Sequence, residues 1–131
     1  MKKILHILLF LNLLPFMAGC SVINRETGIL EGKVNIGPLS PVSQAGVPEP
    51  TPAPEVYSAR QIVIFSKNGK KEVAKVPIKS DGSYRIELLT GEYLVDINHI
   101  GIDFSKGLPV LIEIKADQSV QLDIEIDTGI R

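Results

Sequence analysis

Residues 80–97 read SDGSYRIELLTGEYLVDI. Within them Tyr84, Ile86 and Leu88 alternate with Arg85 and Glu87. Tyr93, Val95 and Ile97 then alternate with Leu94, Asp96 and Asn98. A side-chain period of two is the mark of a strand with one face on a core and one in water. Ser80-Asp81-Gly82-Ser83 and Thr90-Gly91 punctuate the two runs as turns, where glycine supplies the positive φ that other residues resist. A helix is excluded here, because period two would spread apolar side chains around its whole surface.

The same grammar extends both ways. Upstream, Gln61 to Ser66 (QIVIFS) is a continuous apolar run, as expected of a strand covered on both faces. Glu72 to Ile78 (EVAKVPI) forms another, with Pro77 marking an edge or an end. Lys67-Asn68-Gly69-Lys70 between them is a hairpin turn, and Ser80-Asp81-Gly82-Ser83 reads as a second turn of the same kind. Nearer the N-terminus, Leu30, Gly32, Val34 and Ile36 alternate with Glu31, Lys33 and Asn35. Downstream, Val110, Ile112 and Ile114 define one strand, and Val120, Leu122, Ile124 and Ile126 define the last. No helical period occurs after residue 19. The expected fold is all-β, an antiparallel seven-stranded β-sandwich.

Gly37 to Val56, GPLSPVSQAGVPEPTPAPEV, breaks the alternation. Its prolines lack the N–H that a ladder needs. PEPTPAP should be extended, near polyproline II. It reads as a long surface loop between two strands, with a ligand for an aromatic groove or a projecting spacer as the functional alternative.

Ser80 to Tyr93 resembles the signature of carboxypeptidase regulatory-like domains, which are transthyretin-like (prealbumin-like) sandwiches. The shared pattern is an Asp-Gly turn, an aromatic, a strand ending in leucine, a turn and a tyrosine. Thr90 stands where proline is usual in that family. GILEGKV at Gly28 to Val34 resembles its first strand, and the likeness covers most of residues 28–126. IGPLSPV, VDINHIGID and IDTGIR look like pieces of a narrower group of small bacterial proteins of unknown role. The broader resemblance implies a non-catalytic module that packs against partners or binds through loops.

The N-terminus carries a different message. Lys2 and Lys3 precede an apolar run from Ile4 to Phe16, interrupted by His6 and Asn12. About 20 apolar residues are needed to span a bilayer core, so this run is too short. It fits a secretory signal over residues 1–19. Met17-Ala18-Gly19-Cys20 resembles the lipobox of bacterial lipoproteins, with Met17 where leucine is usual. The resemblance implies that the only cysteine, Cys20, is acylated (palmitate is among such chains) and becomes a membrane anchor. Two or more acyl chains anchor stably. Residues 20–27 would be a lipidated tether and residues 28–131 the β-sandwich domain, with its Pro-rich loop at 37–56. Ser21 after the cysteine points to the outer membrane, if the cell is Gram-negative.

Without the leader roughly 110 residues remain, enough for one domain with a core and no disulfides. Lys2 and Lys3 leave with it, so the 15 acidic side chains outnumber the basic ones. There is no basic run or aromatic interleaving, so no nucleic-acid partner is expected. The chemistry-bearing residues are few. Asp127-Thr128-Gly129 matches the aspartic-protease triplet, but only Ile130 and Arg131 follow, and the expectation is a solvated strand end. Asp96, His99 and Asp103 cluster in LVDINHIGID, a candidate ligand loop or divalent-cation site. Their spacing matches no compact metal signature, and a hydrogen-bonded loop is the plainer reading. Enzymes on related folds use more than one histidine, whereas His99 is the only one after the leader. A Ser-His-Asp triad through His99 lacks a G-x-S-x-G elbow.

The sequence therefore leads to a non-catalytic, lipid-anchored protein of the bacterial envelope. It would meet the membrane through acylated Cys20 and an envelope protein as partner. No catalytic residues, metal or cofactor are expected. A small-ligand, glycan or metal-binding sandwich is the alternative, and a hydrolase using His99 the second.

Overall fold

The structure, a computed structural model, describes residues 25–42 and 44–131. The leader and Cys20 lie outside the described residues. The first strand, β1 (Thr27–Gly37), sends Gly28, Leu30, Gly32, Val34 and Ile36 inward and their neighbours outward. It is the spine of one sheet. β4 (Ser83–Leu89) lies antiparallel along one side, from Thr27↔Leu89 to Lys33↔Ser83. On the other side β7 (Ser119–Gln121) pairs with the first half of β1, and β8 (Ile124–Asp127) with the second. Both of these pairings are parallel.

The facing sheet is antiparallel throughout. Its order is β3 (Glu72–Pro77), β2 (Gln61–Ser66), β5 (Gly91–Ile97) and β6 (Val110–Ile114). Between the two sheets lie Leu30, Val34, Ile62, Ile64, Tyr84, Val95 and Ile114, all essentially inaccessible. Each such aliphatic side chain contributes about 1.5–3 kcal/mol relative to exposure. The molecule is an all-β sandwich, as its alternation requires.

Three features depart from the sequence reading. Among the described residues the strands number eight, because the run expected from Val120 to Ile126 divides at Leu122-Asp123. The Ser80–Ser83 turn is not a hairpin: it carries the chain from β3 in one sheet to β4 in the other, and Thr90-Gly91 carries it back. A short helix, α1 (Pro54–Ser58), closes the Pro-rich loop. Pro54 suits the first helical turn, whose N–H groups have no partner in any case, and Tyr57 is buried beneath it. The strand bounds shift slightly too, since Thr27, placed in the tether, and Gly37, placed in the loop, both belong to β1.

The division at Leu122-Asp123 has a specific construction. The Leu122 N–H still bonds the Glu31 carbonyl, but its own carbonyl turns toward β1 and lies over Gly32. The buried Tyr84 hydroxyl donates to that carbonyl. The Asp123 carboxylate then takes the Lys33 N–H at 2.9 Å, a donor that an unbroken strand would have satisfied with backbone. Burial pushes the Tyr84 phenol above its ordinary range, and the charge of Asp123 adds to the shift. Tyr84→Phe leaves the Leu122 carbonyl without its donor. The expected loss is about 1–3 kcal/mol, read by urea unfolding; a variant as stable as the parent would count against this bond.

Candidate functional site

Two poles are defined by the direction of β1. At its Thr27 end stand Leu89, Thr90 and the Lys115–Gln118 turn, tied by Thr90 N–H to Glu26 O and Asp117 N–H to Thr27 O. At its Gly37 end converge the Pro-rich loop, α1, the loop from Asn98 to Pro109 and the C-terminal residues. The candidate residues all lie at this second pole.

Arg60 follows α1 and precedes β2, so its side chain is fixed at both ends. Its Nε donates to Asp103 Oδ2 at 2.6 Å and its Nη2 to Oδ1 at 3.2 Å, a two-pronged pair. Nη1 donates to the Val56 carbonyl at 2.9 Å. The Asp103 side chain is 5 % exposed and that of Arg60 14 %. This pair pins the loop after β5 to the start of β2. Asn98 adds a second pin, its Oδ1 accepting the Gln61 N–H at 3.1 Å.

His99 sits at φ 35°, where its neighbours hold it. Its Nε2 lies 3.0 Å from Asp96 Oδ1, and its Nδ1 lies 3.3 Å from the Asp103 carbonyl. Both positions are acceptors, so the charged ring, which donates twice, suits the site better than either neutral tautomer. The Asp96 hydrogen bond accordingly raises the His99 pKa above 6.5. A raised folded value means that the pair stabilises fully below about pH 6.5 and fades as pH rises through the folded pKa. Melting of the parent should therefore weaken slightly from pH 6 to pH 8, and His99→Gln should flatten that slope. An identical slope in the variant would remove His99 from the account.

The three loop residues singled out from the sequence thus do not converge. Asp96 and His99 face each other, but the Asp103 carboxylate turns away to Arg60 and offers His99 only its backbone. Among the described residues no three His, Cys, Asp or Glu side chains are placed to share a metal ion. Both ring nitrogens of His99 are engaged, which leaves neither to draw a proton from a serine. Asp127-Thr128-Gly129 differs from its expectation as a solvated end. Thr128 is buried, its N–H bonding Gly37 O and its hydroxyl Pro38 O. Asp127 exchanges two backbone bonds with Phe104. Its carboxylate is held below the usual range by the Arg131 guanidinium. The triplet is a clasp across the pole.

The surface of this pole is apolar. Of the nine large hydrophobic side chains exposed among the described residues, six lie here: Val42, Val47, Ile100, Ile102, Phe104 and Ile130. Ile102 is 73 % exposed yet touches the face of Gly129, and Phe104 walls a groove floored by Ile36 and Gly37. Glu49 joins that groove to a neighbouring one lined by Val42 and Val47. It is fixed by Leu39 N–H, which donates to its Oε1 at 2.8 Å. The Pro-rich loop is thus tied down at Glu49 and Tyr57 rather than projecting freely. With three residues per polyproline turn, Pro48 and Pro54 share a ridge with Thr51, Pro50 with Ala53, and Pro52 with Glu49. Within residues 48–54 no ridge places two prolines three apart, whereas Pro38 and Pro41 at the start of the loop have that spacing. Sequence reasoning missed Arg60, Ile102 and Phe104; a lone charge beside an apolar run and an exposed phenylalanine carry no periodic signal.

The class defined by this architecture is a two-sheet β-sandwich domain with loops gathered at one pole. No family model matches the sequence, and no curated protein matches it. Among solved structures it is similar to GBS52, the minor pilin of the Gram-positive pathogen Streptococcus agalactiae. That match has a TM-score of 0.51 and 16% identity over 79% of this chain and 45% of the pilin. Two DUF3823 family proteins are also similar. That from Parabacteroides merdae gives 0.46 and 14% over 78% of this chain and 46% of its own. That from Bacteroides ovatus gives 0.46 and 18% over 75% and 44%. The chain spans less than half the length of each of these structures. At such identity the pilin likeness shows the fold alone.

Proposed function

We propose that this protein is a lipid-anchored, non-catalytic interaction module of the bacterial envelope, a transthyretin-like domain tethered through acylated Cys20. The leader and its Met17-Ala18-Gly19-Cys20 motif support the anchor. The observation that carries the module reading is the polarity of the domain. The chain from Cys20 enters at the Thr27 end, while the exposed apolar side chains and the tied loops gather at the Gly37 end. An apolar cluster kept on the surface by a rigid frame is the mark of an interaction site.

Labelled palmitate fed to cells should enter the full-length protein and not its Cys20→Ala form, which should also leave the membrane fraction. Deleting Gly46 to Pro54 should weaken association with an envelope partner while the circular dichroism of the sandwich stays unchanged. A palmitate-free parent would end the anchored reading, and unchanged association would remove the loop from the interaction.

A further inference from the structure

A second surface belongs to the sandwich itself and does not depend on the anchor. We infer that the open edge of β4 pairs with β4 of a second copy of this chain, antiparallel about a two-fold axis at Ile86, so that Arg85 of each copy faces Glu87 of the other.

The edge is open only at its centre. β4 ends its sheet, with β1 on one side and no strand on the other. In an antiparallel ladder successive residues turn their backbone groups alternately to one side and the other. The Val34 N–H reaches across to Gly82 O, whereas Glu31 O and Lys33 N–H are used on the far side of β1. The register therefore turns the backbone of Tyr84, Ile86 and Leu88 toward β1 and that of Ser83, Arg85, Glu87 and Leu89 outward. Ser83 is already closed: its N–H donates to Asp81 Oδ1 at 2.9 Å, and its carbonyl accepts the Lys79 N–H at 2.9 Å. The Leu89 carbonyl takes the Tyr93 hydroxyl at 2.7 Å. Among the described residues, nothing bonds the outward N–H and C=O groups of Arg85 and Glu87.

These four groups stand symmetrically about Ile86, as a self-complementary edge requires. With Ile86 opposite its own copy, Arg85 and Glu87 form a hydrogen-bonded pair on each side of the axis, and four backbone bonds are made. The side chains agree with this register. Arg85 Nη1 donates to Glu31 Oε2 at 2.8 Å, and Glu87 Oε1 accepts the Thr27 hydroxyl at 2.6 Å. Arg85 Nη2 and Glu87 Oε2 are left for the facing copy. Both side chains are exposed on the outer face of the sheet, so opposite charges meet twice. Ile86, on the inner face, is only partly buried because no strand lies beyond it, and a second Ile86 about 5 Å away would cover it. The edges of the facing sheet lack this pattern. β3 carries Pro77 and a register shift opposite Ile64-Phe65, and β6 carries one charge, Glu113, with no cation to face it.

The test uses the full-length protein in detergent, its mass read by light scattering after gel filtration across a dilution series. The parent should be a dimer. Arg85→Glu and Glu87→Arg each set like charges face to face twice, and each should raise the dissociation constant about tenfold or more. Mixing the two variants should restore a dimer, because every Glu then meets an Arg across the axis. A role confined to one copy could not be restored by mixing. Should either variant melt early, a cysteine pair decides instead. Ile86→Cys in cells should give a reducible dimer under mild oxidation, Leu111→Cys on the β6 edge should give none, and the parent reports any disulfide formed by Cys20. A monomeric parent, folded charge variants as dimeric as the parent, or a folded mixture that stays monomeric would each overturn the inference. So would a crosslink from position 111 equal to that from position 86, no crosslink from position 86, or its capture of a different protein.

Discussion

Gly32→Ala should unfold this domain or bring it close to unfolding. A Cβ at Gly32 would fall inside the Leu122 carbonyl, with the Tyr84 ring directly behind it. The blocking atom is backbone, so no rotamer change relieves the overlap. β1 is also held on both flanks, by β4 on one side and by β7 and β8 on the other. The expected loss is about 4 kcal/mol or more, in the range reserved for core disruption. That corresponds to a fall in melting temperature of about 15–30 °C. Gly46→Ala is the matched control. Gly46 has φ +85°, so alanine is strained there, but nothing lies within 4 Å of its added carbon. It should lose only about 1 kcal/mol. Equal melting of the two variants would show that the Leu122 crossing is not the constraint described.

Asp103→Ala should have the second largest effect. It strands the Arg60 guanidinium, 14 % exposed, against the Val56 carbonyl with no counter-charge. Removing one member of a buried pair costs about 3–5 kcal/mol, because the other charge stays desolvated. Replacing both, as Arg60→Met with Asp103→Leu, removes the stranded charge and should recover most of that loss. The two outcomes separate a pair that supplies stability from one that fixes the loop's position. If the double variant is stable yet the 98–109 loop exchanges its amide hydrogens faster, the pair's contribution is positional. If the double variant is as unstable as Asp103→Ala, the salt bridge itself holds the fold.

The strands were legible because alternation is local. Tyr84, Ile86 and Leu88, and then Tyr93, Val95 and Ile97, occur where period two places them. Which sheet each strand joins was not legible. A Ser80–Ser83 turn looks the same whether it folds a hairpin or crosses the sandwich, since the choice belongs to β1, some fifty residues upstream. The break between β7 and β8 was hidden for a related reason. Val120, Leu122, Ile124 and Ile126 keep their alternation through it, because the Asp123 side chain substitutes for a missing backbone partner. Helix α1 is five residues, too short for a period to register. In the loop, the proximity of Asp96 and His99 followed from their spacing of three. Asp103 was assigned to the wrong company, because its partner Arg60 lies 43 positions away.

The place of β1 at the centre of its sheet also sets the order of events in time. It is made before the other described strands, yet Gly37 finds its neighbour only when Asp127 has been made. Pairings of such long sequence separation pay their loop entropy before any contact repays it, which slows folding. β1 must therefore wait, half-bonded, for residues 124–127.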